Sequence, residues 1–247
     1  MAQTAKAEIA ICYLCGDPLS DPTSADHVPP KQFFARAIRR AQQLQLDTLP
    51  VHDSCNQAFK RDEEYFVHTL MPFARGSVAG QAIYSDVLQK YRRHEKVGLT
   101  LGVLREFDPR PSGLVLPGGK VVKRFAGARL QRVSWKIVRG LFFLHHDRVL
   151  PTNTTTWVSL TAPGETPPEH FRHFMSLPDR AQHGRYPGAF AYRFDNFTEA
   201  GANLHYWAFL LWDRIIITVI FHDPGCGCAN CAQMPSARCE AEAPTKG

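Results

Sequence analysis

The chain has no apolar run long enough to span a bilayer. Its longest candidate, residues 206–221, is broken by Asp213 and Arg214 and reads as two strands. The opening residues, MAQTAKAEIAICYLCG, show no secretion leader, because no apolar core precedes Cys12 and Cys15. A cytoplasmic protein without a membrane partner is expected. Cysteine is scarce and odd in number: seven in 247 residues, gathered in two tight groups near the ends. In a reducing compartment that argues against a disulfide framework and for metal ligation. Charge of one sign is in small excess, +6 from 29 Lys and Arg against 23 Asp and Glu. Such a balance tolerates a polyanion without indicating one. There is no internal repeat at a solenoid period. What remains, 44% hydrophobic and 21% charged residues, is ordinary for a globular protein with a sizeable core in one large domain or two modest ones.

The pattern along the chain predicts an α+β protein. Residues 9–15 suggest a short strand running into a knuckle, followed by turn chemistry to Ser24. Helical composition covers 32–44, a short strand 48–51, and a helix 55–70 that Pro72 stops. A further helix is expected over 77–94. Strands are expected over 99–107 and 113–125, the latter broken by a Pro117-Gly-Gly turn, then a helix over 129–144 whose stripe is Leu130, Val133, Ile137 and Leu141. Residues 152–168 suggest a strand with loops. The last third reads as antiparallel sheet, with strands at 190–194, 206–212 and 215–221 and a tight turn at Asp213-Arg214. Trp207 and Trp212 fit the core of that sheet. The expected division is an N-terminal module, 1–76, an α+β domain of unassigned role, 77–225, and a Cys-rich tail, 226–247.

Cys12 and Cys15 lie two residues apart, so one metal ion can be chelated by both thiolates from a tight turn. His52 and Cys55 repeat the spacing where a helix is due to start. Cys3His is a standard closed tetrahedral zinc set, and two pairs at this separation point to structural zinc. Between the pairs stands Asp26-His27-Val28-Pro29, and Asn56 follows the last cysteine. A neutral imidazole can serve as base near pH 7, while a carboxylate and an amide oxygen suit a hard divalent cation. That combination is what phosphodiester hydrolysis asks for.

These residues, Cys12-x-x-Cys15, Asp26-His27-Val28-Pro29 and His52-x-x-Cys55-Asn56, resemble the HNH (His-Me finger) endonucleases over residues 9–70. The resemblance implies a zinc-stabilised ββα-metal module. It implies His27 as the water-activating base, Asp26 and Asn56 as ligands of a catalytic Mg2+ or Mn2+, and His52 in the structural zinc set. The family's third signature residue is usually a His one or two helical turns after the Asn. Here the candidates are Glu64 and His68, 8 and 12 residues on, both near multiples of the helical repeat. The implied activity is metal-dependent endonuclease cleavage of nucleic acid, DNA in the first instance. The competing reading is a non-catalytic zinc module that binds DNA or protein. A nuclease would need control, supplied by residues 77–247 or by a regulatory partner.

Lys31, Arg36, Arg39 and Arg40 follow the Asp-His closely and are candidate phosphate contacts. Arg129, Arg132, Lys136 and Arg139 make a second basic strip, for which a solvated helix face is the simpler expectation. Cys226, Cys228, Cys231 and Cys239, with His222 just before them, suggest a second zinc; an iron–sulfur cluster or a non-binding tail are the alternatives.

Overall fold

The computed structural model describes residues 10–113, 117–151, 154–177, 183–199 and 202–223, with Cys226 and Cys231. The first turn is built on the cysteine pair. The Gly16 amide donates to the Cys12 carbonyl (2.8 Å) and the Cys12 amide to the Asp17 carbonyl (2.9 Å). Gly16 takes φ +88°, a left-handed conformation that glycine adopts at little cost. β1 (Thr23–His27) then pairs antiparallel with β2 (Thr48–His52), Thr23 opposite His52 and His27 opposite Thr48. Between them lies α1 (Arg36–Ala41), shorter than its composition suggested. α2 (Asp53–Leu70) starts directly from β2, with His52 as its N-cap residue.

α3 (Val78–Arg92) begins where expected, capped by the Ser77 hydroxyl accepting from the Gly80 amide at 2.9 Å. The next segment corrects the sequence reading. Residues expected as a strand over 99–107 form α4 (Val97–Arg105). The alternating Val and Leu suggested period 2, but Leu99 and Val103, one helical turn apart, are the residues that meet the core. Glu106 just beyond accepts from the Tyr65 and Thr69 hydroxyls of α2 (2.6 and 2.7 Å). Over 113–125 the described residues keep the expected turn at Pro117–Gly119 and one short strand, β4 (Val122–Lys123), paired with β3 (Phe107–Asp108); residues 114–116 lie outside them.

α5 (Gly127–His146) carries the larger correction. Its expected stripe is buried, but so are Ser134, Trp135, Lys136, Val138, Arg139, Gly140 and Phe142. A helix buried nearly all round is a core helix, and its cations cannot form a solvated face. Arg129 and Arg132 both pair with Asp62 of α2 (2.6 and 2.8 Å). Arg139 donates to the carbonyls of Leu14 (2.6 Å) and Leu150 (3.2 Å). Lys136 reaches Asp26 and Glu63. Gly140 shows how close the approach is: a Cβ there would come within 2.8 Å of both Val28 methyls. The glycine therefore lets α5 lie against the chain just after His27.

On its other side α5 packs on a five-stranded antiparallel sheet of order β5-β9-β8-β7-β6. The strands are β5 (Thr156–Thr161), β6 (His183–Tyr186), β7 (Phe190–Glu199), β8 (Ala202–Leu211) and β9 (Ile215–His222). The sequence reading missed β6 and the short α6 (Glu169–Ser176). α6 sets Phe174 against Tyr206 and Ala208 of the sheet face away from the main core. The β8–β9 turn is shifted by one residue from the expected pair, with Trp212 and Asp213 both left-handed (φ 51° and 52°). Two such residues make the turn suited to a twisted hairpin. The bulky Trp212 is held there because its ring is fully buried and its Nε1 donates to the Phe33 carbonyl at 2.8 Å. The protein is a mixed α+β fold with antiparallel sheets, and among the described residues no helix is long and apolar enough to cross a membrane.

Candidate metal centre and cleft

The knuckle before β1 and the β2–α2 junction bring Cys12, Cys15, His52 and Cys55 together, one ligand atom each, all within 4.8 Å of one another. His52 Nδ1 lies 3.4 Å from Cys15 Sγ and 3.9 Å from Cys55 Sγ. Tetrahedral zinc, with Zn–S about 2.3 Å and Zn–N about 2.0–2.1 Å, has N···S edges of about 3.6 Å. The donor set, the spacing and the edges fit a zinc ion. His52 Nε2 lies 3.0 Å from the Pro18 carbonyl and 3.2 Å from the Ser20 amide. With Nδ1 on a metal it carries the proton and donates to Pro18, the outer contact that orients a ligating imidazole.

Beside this centre His27, at the end of β1, and Asn56, in the first turn of α2, line one cleft of about 410 Å³. Asn56 Nδ2 donates to Ser24 Oγ of β1 at 3.1 Å, fixing the amide across the strand–helix angle. His27 Nδ1 is buried and has no hydrogen-bond partner among the described residues. Burial first, and then the nearby Lys31, lower the His27 pKa, with Asp26 acting the other way. The imidazole is therefore mostly neutral at pH 7, the form that can accept a proton.

Asp26 is placed differently from its expected role. The carboxylate is only 5% exposed; Oδ1 accepts from Lys136 Nζ at 2.8 Å and Oδ2 from the Tyr13 hydroxyl. Lys136 also pairs with Glu63, to which Gln32 Nε2 donates at 2.9 Å. Burial raises the Glu63 carboxyl above its ordinary pKa against the pull of Lys136. An ammonium thus stands between Asp26 and Glu63, two of the carboxylates that line the cleft with His27. Among the described residues, two groups of three or more Cys, His, Asp or Glu side chains bring their ligand atoms together, and neither includes Asp26, Glu64 or His68. The residues present do not fit a ready-made site for a divalent ion at His27.

Glu64 and His68 do line the cleft, on the helix face shared by Asn56 and Lys60. Eight residues of helix rise about 12 Å and twelve about 18 Å. A single ion held by Asn56 is thus at the limit of reach for Glu64 and beyond that of His68. Glu64 instead pairs with Lys96 at 3.1 Å, and His68 Nδ1 meets the Tyr91 hydroxyl at 3.0 Å. Asp62 and Glu63, on the same helix, are halves of ion pairs with α5.

Burial first, and then Lys90, push the His68 pKa down to about 4, with Glu64 opposing. The unfolded state binds this proton near 6.5 and the folded state only near 4. The stability contributed by keeping His68 neutral is therefore complete above about pH 6.5 and is lost as pH falls toward 4. A His68→Gln variant is expected to lose less stability than the parent over that window in pH-dependent urea unfolding. Parallel profiles for the two proteins would refute the assignment.

The first basic group lies at the cleft. Lys31, Arg36 and Arg39 line the cleft, and with Arg40 and His27 they also line a neighbouring hollow. Lys60, Lys90 and Arg93 extend the rim. Sequence reasoning missed Lys136, Tyr13 and Glu63 as neighbours of Asp26. No local signal pointed to them: Lys136 stands in line with Arg129, Arg132 and Arg139, which together read as one basic strip. Of the C-terminal residues, His222, Cys226 and Cys231 come together within 4.8 Å; Cys228 and Cys239 lie outside the described residues. Compared with protein-family models, curated proteins and solved structures, the chain has no match in any of the three.

Proposed function

We propose that residues 10–70 form a zinc-stabilised ββα module of HNH type, and that the cleft beside it cleaves phosphodiester bonds of nucleic acid, DNA in the first instance. The observation that carries this reading is the convergence of a neutral, half-buried His27, the Asn56 amide and a basic rim on one cleft beside a Cys3His centre. His27 accepts the proton of the attacking water. Lys31, Arg36 and Arg39 hold the strand through its phosphates. Zinc at Cys12, Cys15, His52 and Cys55 fixes the hairpin and the start of α2, and so the distance between His27 and Asn56. Asp26 is committed to Lys136 and is not free to hold Mg2+ or Mn2+ in this arrangement.

The test is cleavage of supercoiled plasmid by wild type and His27→Ala, with Mg2+, with Mn2+ and with EDTA. Cutting by the wild type is expected, reduced at least ~100-fold by His27→Ala, the usual scale for loss of a general base. Cutting that persists in EDTA would place a divalent ion outside the reaction. Equal cutting by both proteins would remove His27 from the mechanism. The Asp26–Lys136 pair favours a second reading, in which the module binds nucleic acid or protein without cutting. Zinc retention with phosphate-dependent DNA binding and no cleavage by either protein would establish it.

A further inference from the structure

β9 ends at His222, and the chain that follows returns two thiols to that residue. His222 Nδ1 lies 3.4 Å from Cys226 Sγ and 3.3 Å from Cys231 Sγ, and the three ligand atoms lie within 4.8 Å of one another. These N···S separations fall close to the edge of about 3.6 Å set by tetrahedral zinc. They also match the 3.4 and 3.9 Å of the N-terminal centre. Hydrogen bonding explains them poorly. A neutral imidazole has one acceptor nitrogen with one lone pair, so two thiols cannot both donate well to the same Nδ1. A shared cation explains both contacts at once.

The start of the loop is fixed independently of the cysteines. The Asp223 carboxylate accepts from Asn203 Nδ2 and from His205 Nε2, each at 2.6 Å. The Asp223 amide donates to the Asn203 carbonyl at 3.1 Å, and the Cys226 amide donates back to the Asp223 carbonyl at 3.2 Å. His222 and Cys226 are thereby held relative to the β8–β9 edge before any metal binds.

We infer that His222, Cys226 and Cys231 hold a second zinc ion, which fastens the segment after β9 to the end of the five-stranded sheet. The site is made of one imidazole and two thiolates, a set that selects zinc over Mg2+ or Ca2+. It shares no ligand with the N-terminal centre and does not depend on the nuclease reading.

The test is zinc stoichiometry on the full chain, equilibrated with zinc and passed through gel filtration. Wild type should carry two ions per chain, and Cys226→Ser/Cys231→Ser and His222→Gln should each carry one while keeping the wild-type circular dichroism. Alkylation followed by mass spectrometry gives a reading that needs no variant. Cys226 and Cys231 of the wild type should be protected with zinc bound and should react after chelation. One zinc per wild-type chain, two in the variants, or rapid alkylation of both thiols in the zinc-loaded protein would each overturn the proposal.

Discussion

Cys55→Ser is expected to lose one zinc ion per chain and to melt well below the wild type. Cys55 sits in the first turn of α2, and its metal partners are His52 at the end of β2 and the Cys12–Cys15 turn. Among the described residues those pieces are otherwise joined by few local bonds: the Asp53 amide to the Pro22 carbonyl at 3.0 Å, and the contacts of His52 with Pro18 and Ser20. Structural zinc in small domains is worth ~10–16 kcal/mol of folding free energy. Here α5 also packs on the module, so part of the fold survives its loss. Even a third of that figure, about 4 kcal/mol, lowers the midpoint of a chain this size by roughly 8–16 °C. Gln57→Ala, two residues away, exposed and outside the ligand set, should leave metal content unchanged and melting nearly so. Elemental analysis with a thermal melt checks both, and a Cys55→Ser protein with wild-type zinc and wild-type midpoint would disprove the assignment.

The parts of this molecule legible in its sequence are those in which a local rule and the tertiary structure agree. The two ligand pairs were visible because chelation from one turn demands the two-residue spacing, whatever surrounds it. α2, α3 and the strands β7, β8 and β9 were visible because their apolar periods match their burial. α4 was not, because its Val and Leu residues alternate while only Leu99 and Val103 face the core, leaving Leu101 and Leu104 about half exposed. The shortened α1 and the shifted β8–β9 turn reflect long-range anchors, such as the Trp212–Phe33 hydrogen bond across 179 residues. The same holds at the cleft. His27, Asn56 and the basic rim belong to one stretch of chain and could be read together. The partner of Asp26 could not, since Lys136 arrives from 110 residues away. Adjacency in sequence suggested that Asp26 and His27 act as a unit. The pleat of β1 turns the Asp26 carboxylate inward to Lys136, in the wall of the cleft that it lines together with the more open His27.

That arrangement makes Lys136→Met the substitution with the most distinctive expected signature. The Lys136 side chain is 1% exposed and is the cation shared by Asp26 and Glu63, themselves 6% and 13% exposed. Removing one partner of a buried ionic group leaves uncompensated charge and costs ~3–5 kcal/mol. The size of the loss alone does not identify its cause, since a poorly packed methionine would also destabilise. Its pH dependence does. Without Lys136 the Glu63 carboxyl is desolvated and loses its ion pair, which raises further a folded-state pKa that burial already holds above its ordinary value. A group with a raised folded-state pKa contributes stability that is present below its unfolded pKa and lost as pH rises through the folded one. The deficit of Lys136→Met should therefore be largest at pH 8 and shrink as pH falls toward 5, where the Glu63 carboxyl takes up a proton. Adding Asp26→Asn and Glu63→Gln to the variant should recover much of the loss at pH 8, because replacing every member of a buried ionic set is far less costly than removing one. Urea unfolding of the three proteins at pH 5 and pH 8 decides it. A deficit that does not change with pH and is not rescued would mean that Lys136 acts through packing and that Asp26 remains available to a divalent ion.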